Sequence, residues 1–395
     1  MNSRLRCAAL LSAGAILAIT LSGCRPHDFP QYPANYREYA YVTNGGSATV
    51  SVFDVVNLRL DRELAVGQNP VAVAANPKNN EVYVVSSGTA TGSGSLAVID
   101  STKNAVIATI PLEKQPVSIT LDAEGKFAYV TNAGSNQVSM VDLKARATVA
   151  RIAVGEQPAM ARLAPDGKTL VVVNRGSNSV SLIDPATRTV RATFTGCPGA
   201  AEATILQDSS KAFVACAGGH QVMVLQLART AHAATAKEEA VTTRLDHLEA
   251  LLDVGRQPVH LALKPDGGEI FASNQAADTV SEIYDSSDEV GDTYTIGDGP
   301  VQSIVSPDNS LLYVANGRSQ YVTIYSIDDG KRRGAVQVGD GPVALAFSQS
   351  GNLLLAVDQR SGDVALIRTA TRSLFTLLPA GRDPNAIALK AFNVQ

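Results

Sequence analysis

Short apolar runs alternate with polar turns along almost the whole chain, and this arrangement repeats. The segment KFAYVTNAGSNQVSMVD, Lys126–Asp142, holds two stretches in which apolar and polar residues alternate, separated by a four-residue polar loop. Such alternation predicts two β-strands, each with one buried face, joined by a tight loop. Eight versions of the pattern are present, centred on Tyr41, Tyr83, Tyr129, Val171, Phe213, Phe271, Tyr313 and Leu355.

Most of these copies lie 42 residues apart, which indicates stacked supersecondary units. A complete unit predicts four strands, named a to d here: Pro70–Ala75, Glu81–Ser86, Ser95–Asp100 and Ala105–Leu112. The first copy lacks strand a, whereas the chain ends in an isolated strand a at Pro384–Leu389. That last strand completes the first unit and removes an open sheet edge. The sequence therefore predicts an all-β propeller of eight four-stranded blades, occupying residues 39–395.

Two insertions interrupt the period. The first, Ser87–Gly94, lengthens a loop between strands b and c with Gly, Ser and Thr. The second, residues 228–251, is rich in Ala and Glu, with apolar residues at Val241, Leu245, Leu248 and Leu251. This spacing predicts one amphipathic helical insertion between strands c and d. The helix either packs on the propeller or receives a partner protein.

The N-terminus is predicted to be an export signal rather than part of the fold. A basic start at Arg4 and Arg6 precedes an apolar stretch that ends Leu-Ser-Gly-Cys at Cys24. This ending resembles the bacterial lipoprotein cleavage box, which implies a signal peptide over residues 1–23 and lipidation of Cys24. The alternative is an ordinary signal peptide with an incidental cysteine. Residues 24–38, with three prolines, are predicted to be a flexible tether.

The predicted anchor places the protein in the cell envelope. Arg25 follows the cysteine where lipoproteins retained at the inner membrane commonly carry Asp, so the resemblance implies the outer membrane. The chain has 33 basic and 37 acidic residues, and losing Arg4 and Arg6 with the signal leaves a formal charge of −6. This sign argues against a nucleic-acid partner. The predicted partners are the membrane, through the anchor, and an envelope protein.

The repeat also resembles a known family. The literal YVTN at Tyr41 and Tyr129, with the Ser-Asn-x-Val-Ser-x-x-Asp followers at Ser135 and Ser177, is similar to the YVTN-repeat propellers of secreted and surface-layer proteins. Familiar members have seven blades, so seven is the alternative blade count. Eight blades are similar instead to the haem-binding propellers of nitrite reductases, and other similar propellers are lactonase-like hydrolases.

Alternating strand direction brings the b–c loops and d–a turns to one face, called the top here. Polar groups converging around a central channel form a natural ligand mouth. Candidate ligand-binding residues there are Asn132, Asn174, Asn274, Asn316, Arg175, Arg318 and Arg360. The alternatives are that the asparagines satisfy loop backbone groups and that the arginines serve solubility.

One blade departs from the others in carrying cysteines. Cys197 opens a strand a, and Cys216 replaces the residue that ends strand b of the same blade. Antiparallel strands bring these positions together, which predicts a disulfide in an oxidising compartment. The alternative is a metal site for copper or zinc that adds His220, four residues after Cys216.

His260 is the one histidine that the repeat places near the channel, on an inner strand. It is either a buried structural histidine or a ligand to haem or metal. No metal-site motif or catalytic motif accompanies it, so no cofactor and no catalytic residue is predicted. The sequence favours a lipid-anchored, non-catalytic ligand- or protein-binding module. A lactonase-like hydrolase and a tetrapyrrole- or metal-binding propeller are the alternatives.

Overall fold

The computed structural model describes residues 32–90, 92–228 and 245–394, and the regular structure of these residues is all β-strand. In chain order the first strands are β1 Tyr36–Asn44, β2 Thr49–Asp54, β3 Arg59–Ala65, β4 Pro70–Ala75, β5 Glu81–Ser86, β6 Ser93–Asp100, β7 Ala105–Lys114 and β8 Pro116–Leu121. These are followed by β9 Phe127–Asn132, β10 Gln137–Asp142, β11 Ala147–Ala153, β12 Pro158–Leu163, β13 Leu170–Asn174, β14 Ser179–Asp184, β15 Thr189–Thr195 and β16 Ala200–Ile205. Next come β17 Lys211–Cys216, β18 Gln221–Gln226, β19 His247–Asp253, β20 Pro258–Leu263, β21 Glu269–Asn274, β22 Thr279–Tyr284, β23 Glu289–Thr295 and β24 Pro300–Val305. The last are β25 Leu311–Asn316, β26 Tyr321–Ser326, β27 Arg332–Gln337, β28 Pro342–Phe347, β29 Leu353–Asp358, β30 Asp363–Arg368, β31 Ser373–Pro379 and β32 Pro384–Asn393.

The strands form eight antiparallel sheets of four strands each, which are the predicted eight blades. Blade 1 has the order β32-β1-β2-β3, and blades 2 to 8 take the remaining strands in groups of four, from β4–β7 to β28–β31. Strand a of each blade faces the central channel and strand d lies outermost. The sequence period and the terminal strand were thus sufficient to predict the blade count.

The terminal strand closes the ring. β32 pairs with β1 from Tyr36↔Asn393 to Asn44↔Pro384. The strand β1 therefore begins at Tyr36, and the prediction of a tether that extends to residue 38 is wrong for its last three residues. Glu38 is fully buried there and accepts a hydrogen bond from the backbone N–H of Gln349 in blade 8. Pairing with β32, rather than composition, fixes these residues in the sheet.

The helix predicted over residues 228–251 is wrong at its C-terminal end. His247–Asp253 is β19, the outer strand of blade 5, and pairs with β18 from Gln226↔His247 to Gln221↔Asp253. The spacing of Leu248, Leu251 and Leu252 suits a helix, but the open edge of β18 supplies hydrogen bonds that only a strand can use. The rest of the predicted helix, residues 229–244, lies outside the described residues.

The core is divided among the joints between blades. Eight clusters of buried apolar side chains occur, and each fills the space between two neighbouring sheets. Tyr41 of blade 1, for example, packs in one cluster with Val82 and Val84 of blade 2. The cluster between blades 8 and 1 joins Leu355 to Ala40. The joint that contains the chain closure is therefore packed like the others.

The glycine that opens most of the Gly-x-x-Pro turns allows a close approach at the top face; at Gly297 a Cβ atom would meet nothing within 4 Å. A Cβ atom at Gly255 would lie 2.7 Å from the Cβ and Cγ atoms of Asn274, and one at Gly155 would lie 2.7 Å from the Cγ of Asn174. Real Cβ atoms do not approach other atoms this closely. The turn therefore packs its backbone directly on the side chain that ends strand b of the same blade.

The part of the chain that the structure describes has no helix with the length and apolar character needed to cross a lipid bilayer. Cys24 and the predicted signal peptide lie outside the described residues, so the predicted anchor stays a prediction.

Candidate functional site

The asparagines predicted at the top face are buried beneath it. Asn132, Asn174 and Asn274 have no exposed surface, and Asn316 is 2% exposed. Each amide hydrogen-bonds to a hydroxyl group on the adjoining strand c; Asn174 Nδ2, for example, donates to Ser181 Oγ at 3.0 Å, and Asn316 Nδ2 donates to Thr323 Oγ1 at 2.7 Å. These side chains fasten strand b to strand c, and a ligand on the top surface does not reach them in this structure.

The Ser-Asn pairs of the b–c loops hold the turns of the top face in place. Ser177 Oγ accepts the N–H of Glu156, in the d–a turn of the same blade, at 3.0 Å. Asn136 Oδ1 accepts the N–H of Gln157, in the next blade, at 2.9 Å. The serine thus joins two turns within a blade, and the asparagine joins neighbouring blades.

The cysteines of blade 5 form the predicted disulfide. Cys197 and Cys216 are bonded and fully buried, with Cα atoms 4.9 Å apart. Both sulfur atoms are engaged with each other, so they do not form a thiolate metal site with His220. The His220 side chain is 60% exposed, and its Nε2 lies 3.5 Å from Oδ1 of Asp253.

Two of the three candidate arginines are paired. Arg318 Nη2 donates to Asp278 Oδ1 at 2.5 Å and to the backbone oxygen of Gln275 at 3.2 Å. Arg360 forms a bidentate pair with Asp340, at 2.9 and 2.7 Å, and donates to the backbone oxygen of Gly317 at 2.7 Å. Both acceptor carbonyls belong to the preceding blade. These arginines therefore link neighbouring blades by hydrogen bonds.

Arg175 differs from the other two. Its side chain makes no ion pair or hydrogen bond with any residue that the structure describes. It borders a top-face cleft of about 350 Å³ between blades 3 and 4, called the Arg175 cleft here. The other residues that line the cleft are Gln115, Val117, Ala133, Gln157, Pro158 and Ala159.

Further clefts open on the bottom face, where the a–b turns of neighbouring blades meet. One of about 600 Å³ lies between blades 3 and 4, and equivalent clefts of about 420 and 290 Å³ lie between blades 5 and 6 and between blades 7 and 8. Because they recur at corresponding joints, these clefts follow from the repeat itself. They do not single out one site.

A cluster of charged side chains lies at the inner edges of blades 4 to 6. Arg162 Nη2 is 3.4 Å from Glu202 Oε1, and His260 Nε2 is 3.7 Å from the same oxygen. Glu202 is 11% exposed at its side chain and His260 17%, whereas Arg162 is 42% exposed. The cluster therefore presents the guanidinium group to the channel and holds the carboxylate and imidazole behind it.

Sequence reasoning identified His260 and missed its two partners. Glu202 is the third residue of β16, as His260 is of β20, and Arg162 is the fifth residue of β12. Alternate residues of a strand share a face, so the third and fifth positions point the same way. When the inner strands are aligned with one another, most residues at these positions are small or neutral. The charged Arg162 and Glu202 stand out in that alignment.

Burial and hydrogen bonding keep His260 neutral. Loss of solvent lowers the pKa of the imidazole below its ordinary value; the nearby Glu202 carboxylate opposes this shift and Arg162 adds to it. The backbone N–H of Ser303 donates to Nδ1 at 3.4 Å. The neutral ring therefore carries its proton on Nε2, which faces Glu202.

The inner strands on the opposite side of the channel carry small side chains at the same two positions. In blades 1, 2 and 8 both positions are alanine: Ala386 and Ala388, Ala72 and Ala74, and Ala344 and Ala346. The corresponding residues of blades 3 to 7 are Ser118, Thr120, Thr204 and Gln302 and the charged cluster, together with the apolar Met160, Ala262 and Ile304. The channel wall is therefore uneven, because all the polar residues at these positions lie on one arc and the other arc carries only alanine.

Solved structures with a similar fold include several propellers. The dihydro-heme d1 dehydrogenase NirN in complex with DHE has a TM-score of 0.72 and 13% sequence identity, over 91% of this chain and 76% of that one. Apo AztD from Citrobacter koseri has a TM-score of 0.65 and 12% identity, over 90% and 98%. A putative 6-phosphogluconolactonase from Bacteroides uniformis has a TM-score of 0.60 and 16% identity, over 90% and 100%. At these identities the likeness is one of fold.

Among curated protein sequences there is no significant match. The family model described as lactonase, 7-bladed beta-propeller matches residues 35–333 and, in a second overlapping match, residues 297–378. Together these matches cover most of the described strands, although the structure has eight blades where the family description has seven. The chain therefore belongs to the lactonase family of β-propellers, as a member with one additional blade.

Proposed function

We propose that this protein is a lipid-anchored envelope propeller that binds a ligand in its central channel without transforming it. The uneven channel wall carries the proposal. Ligand sites are mostly apolar, with a few polar groups that fix orientation. The alanine arc of blades 8, 1 and 2 leaves room for an apolar body, and the cluster of Arg162, Glu202 and His260 supplies the polar end.

Arg162 would make the first contact with the ligand, because its guanidinium is the exposed member of the cluster. A guanidinium group forms paired hydrogen bonds with a carboxylate or phosphate. Glu202 already lies beside it and holds it in position, so the ligand would need further donors or acceptors for the carboxylate. An amphipathic ligand with both an anionic and a hydrogen-bond-donating group fits this arrangement.

The proposed location rests on the N-terminal sequence. Lipidation of Cys24 would attach the chain to the outer membrane, and the net negative charge disfavours a nucleic-acid partner. An envelope protein is the proposed macromolecular partner. Radiolabelled palmitate incorporation that is lost in Cys24→Ala would support the anchor, whereas incorporation unchanged by this substitution would contradict it.

The similarity to NirN raises the question whether a tetrapyrrole fits the channel. Iron or another metal needs an unprotonated imidazole nitrogen. The Nδ1 lone pair of His260 already accepts the Ser303 N–H, and its Nε2 proton faces Glu202. His260 therefore does not fit the role of an axial ligand in this arrangement.

Native mass spectrometry of protein isolated from its own envelope tests the binding proposal. We expect the wild type to retain a small molecule that is lost in Arg162→Gln. Arg256→Gln is the matched control, because Arg256 is an exposed top-face arginine whose side chain, among the described residues, donates a hydrogen bond only to the backbone oxygen of Ala276. Retention of nothing by the wild type, or equal retention by Arg162→Gln, would contradict the proposal.

A second candidate function is hydrolysis of a lactone. It is favoured by the family match and by the position of the Glu202 carboxylate beside the guanidinium of Arg162. Glu202 would accept a proton from water as the water attacks the lactone carbonyl, and Arg162 would stabilise the developing oxyanion. Lactone turnover that falls by about 100-fold in Glu202→Gln would favour the enzyme over the binding module.

A further inference from the structure

The Arg175 cleft is a candidate ligand site that is separate from the channel. Its distinguishing feature becomes visible by comparison with blades 7 and 8. There, Arg318 and Arg360 occupy the second residue of the b–c loop, and each is neutralised by an aspartate. Arg175 occupies the first residue of its loop and is followed by Gly176. Because of this shift of one residue, the Arg175 side chain does not form the ion pair with an aspartate that Arg318 and Arg360 form.

The carboxylate that could neutralise Arg175 does not do so. Glu156 stands in the Gly155-Glu156-Gln157 turn where blade 8 has Asp340, the partner of Arg360. Yet no ion pair within 4.0 Å joins Glu156 to Arg175 among the described residues. The guanidinium is therefore a cation without a counter-ion at the rim of a concave surface.

The lining of the cleft defines the class of ligand. Val117, Pro158 and Ala159 provide an apolar floor, and the amide side chains of Gln115 and Gln157 add hydrogen-bonding groups. A volume of about 350 Å³ suits a small molecule. One positive charge beside an apolar floor matches a ligand with one carboxylate and a short apolar body.

We propose that the Arg175 cleft binds a small organic acid, with its carboxylate on the guanidinium of Arg175 and its apolar part against Val117 and Pro158. This site lies on the top face between blades 3 and 4, and it does not depend on the channel ligand proposed above. The two sites could be occupied independently.

The test uses benzoate as the probe and benzamide, which lacks the charge, as its neutral analogue. Binding to the full mature chain is followed by ligand-observed NMR. We expect benzoate to bind and benzamide to bind at least about tenfold more weakly, because charge-assisted hydrogen bonds are the stronger ones. Arg175→Gln should weaken benzoate binding by at least about tenfold.

Matched variants separate this site from others. Arg318→Gln should leave benzoate binding unchanged, since Arg318 is a paired arginine of the same face. Glu156→Gln should tighten binding, because it removes a nearby negative charge. Arg162→Gln should have no effect, so that failure of the channel proposal is distinguishable from failure of this one. Absence of benzoate binding to the wild type, or binding that survives Arg175→Gln, would overturn the inference.

Discussion

The buried Asp358 lies directly opposite Asp363, on the paired strands β29 and β30 at the top of blade 8. In blades 1, 4 and 6 the same two positions carry an asparagine and a hydroxyl residue, as in Asn44 with Thr49, where Nδ2 donates to Oγ1 at 3.0 Å. Two neighbouring carboxyl groups disfavour each other's ionisation, and burial adds to that cost. Burial and Asp363 accordingly raise the pKa of Asp358 to about 8.

This pair predicts that Asp358→Asn stabilises the protein at alkaline pH. The folded-state pKa of Asp358 lies above its ordinary value of 3.8, so its contribution to stability is present in acid and is lost as the pH rises toward about 8. Asparagine cannot ionise and restores the residue found in other blades. We expect Asp358→Asn to raise the free energy of unfolding at the upper end of this range by about 1–3 kcal/mol, the cost of an uncompensated buried polar group.

Urea unfolding at several pH values measures this effect, with Asp340→Asn as the control. Asp340 is partly exposed and pairs with Arg360, which lowers its pKa. Its replacement should weaken stability slightly and should not reproduce the gain at alkaline pH. A wild type as stable as Asp358→Asn near the top of the pH range would show that ionisation of the buried Asp358 carries no such cost.

His260 predicts a loss of stability in acid. Its pKa is lowered from 6.5 by burial, so the folded state resists protonation while the unfolded state accepts it. Stability is therefore complete above the ordinary pKa and falls as the pH decreases through the folded-state value. His260→Gln should flatten this fall, because a glutamine side chain can accept the Ser303 N–H much as Gln302 accepts that of Leu345.

Thermal melting across the acid range tests this dependence. His220→Gln is the matched control, since the side chain of His220 is 60% exposed. The control should follow the wild-type profile. If His260→Gln and the wild type lose stability in parallel, another buried group is responsible for the acid sensitivity.

The close packing of the Gly-x-x-Pro turns predicts a contrast between two glycines. Gly255→Ala would place a Cβ atom 2.7 Å from Asn274, and we expect it to lower the free energy of unfolding by about 1–3 kcal/mol, as overpacking does. Gly219→Ala meets only the backbone oxygen of Cys216, at 3.8 Å. Equilibrium unfolding should therefore find Gly219→Ala close to the wild type. Equal stabilities for the two variants would show that the turn can move away from Asn274.

The eight blades were predictable because each turn is encoded locally and is repeated. The proline at Pro384, for example, marks the closing strand by itself. Arg162 and Glu202 were not predictable in the same way, since their proximity depends on how two neighbouring blades pack. Glu202 also lies in an inner strand, β16, whose first residue is Ala200 and not the proline with which the other inner strands begin. The helix predicted near Leu248 failed because strand pairing with β18 outweighs local apolar spacing.

The disulfide gives the last prediction. Cys197 and Cys216 close a loop with a sequence separation of 19, and a loop of this size restricts the unfolded chain by about 3 kcal/mol in the chain-entropy description. We expect Cys197→Ser with Cys216→Ser to lower the free energy of unfolding by about this amount while the fold is retained. Reductant should shift urea unfolding of the wild type to the same midpoint and leave the double variant unchanged. Peptide mapping under non-reducing conditions identifies the bond directly; separate, alkylated peptides of Cys197 and Cys216 from the untreated wild type would contradict the pairing.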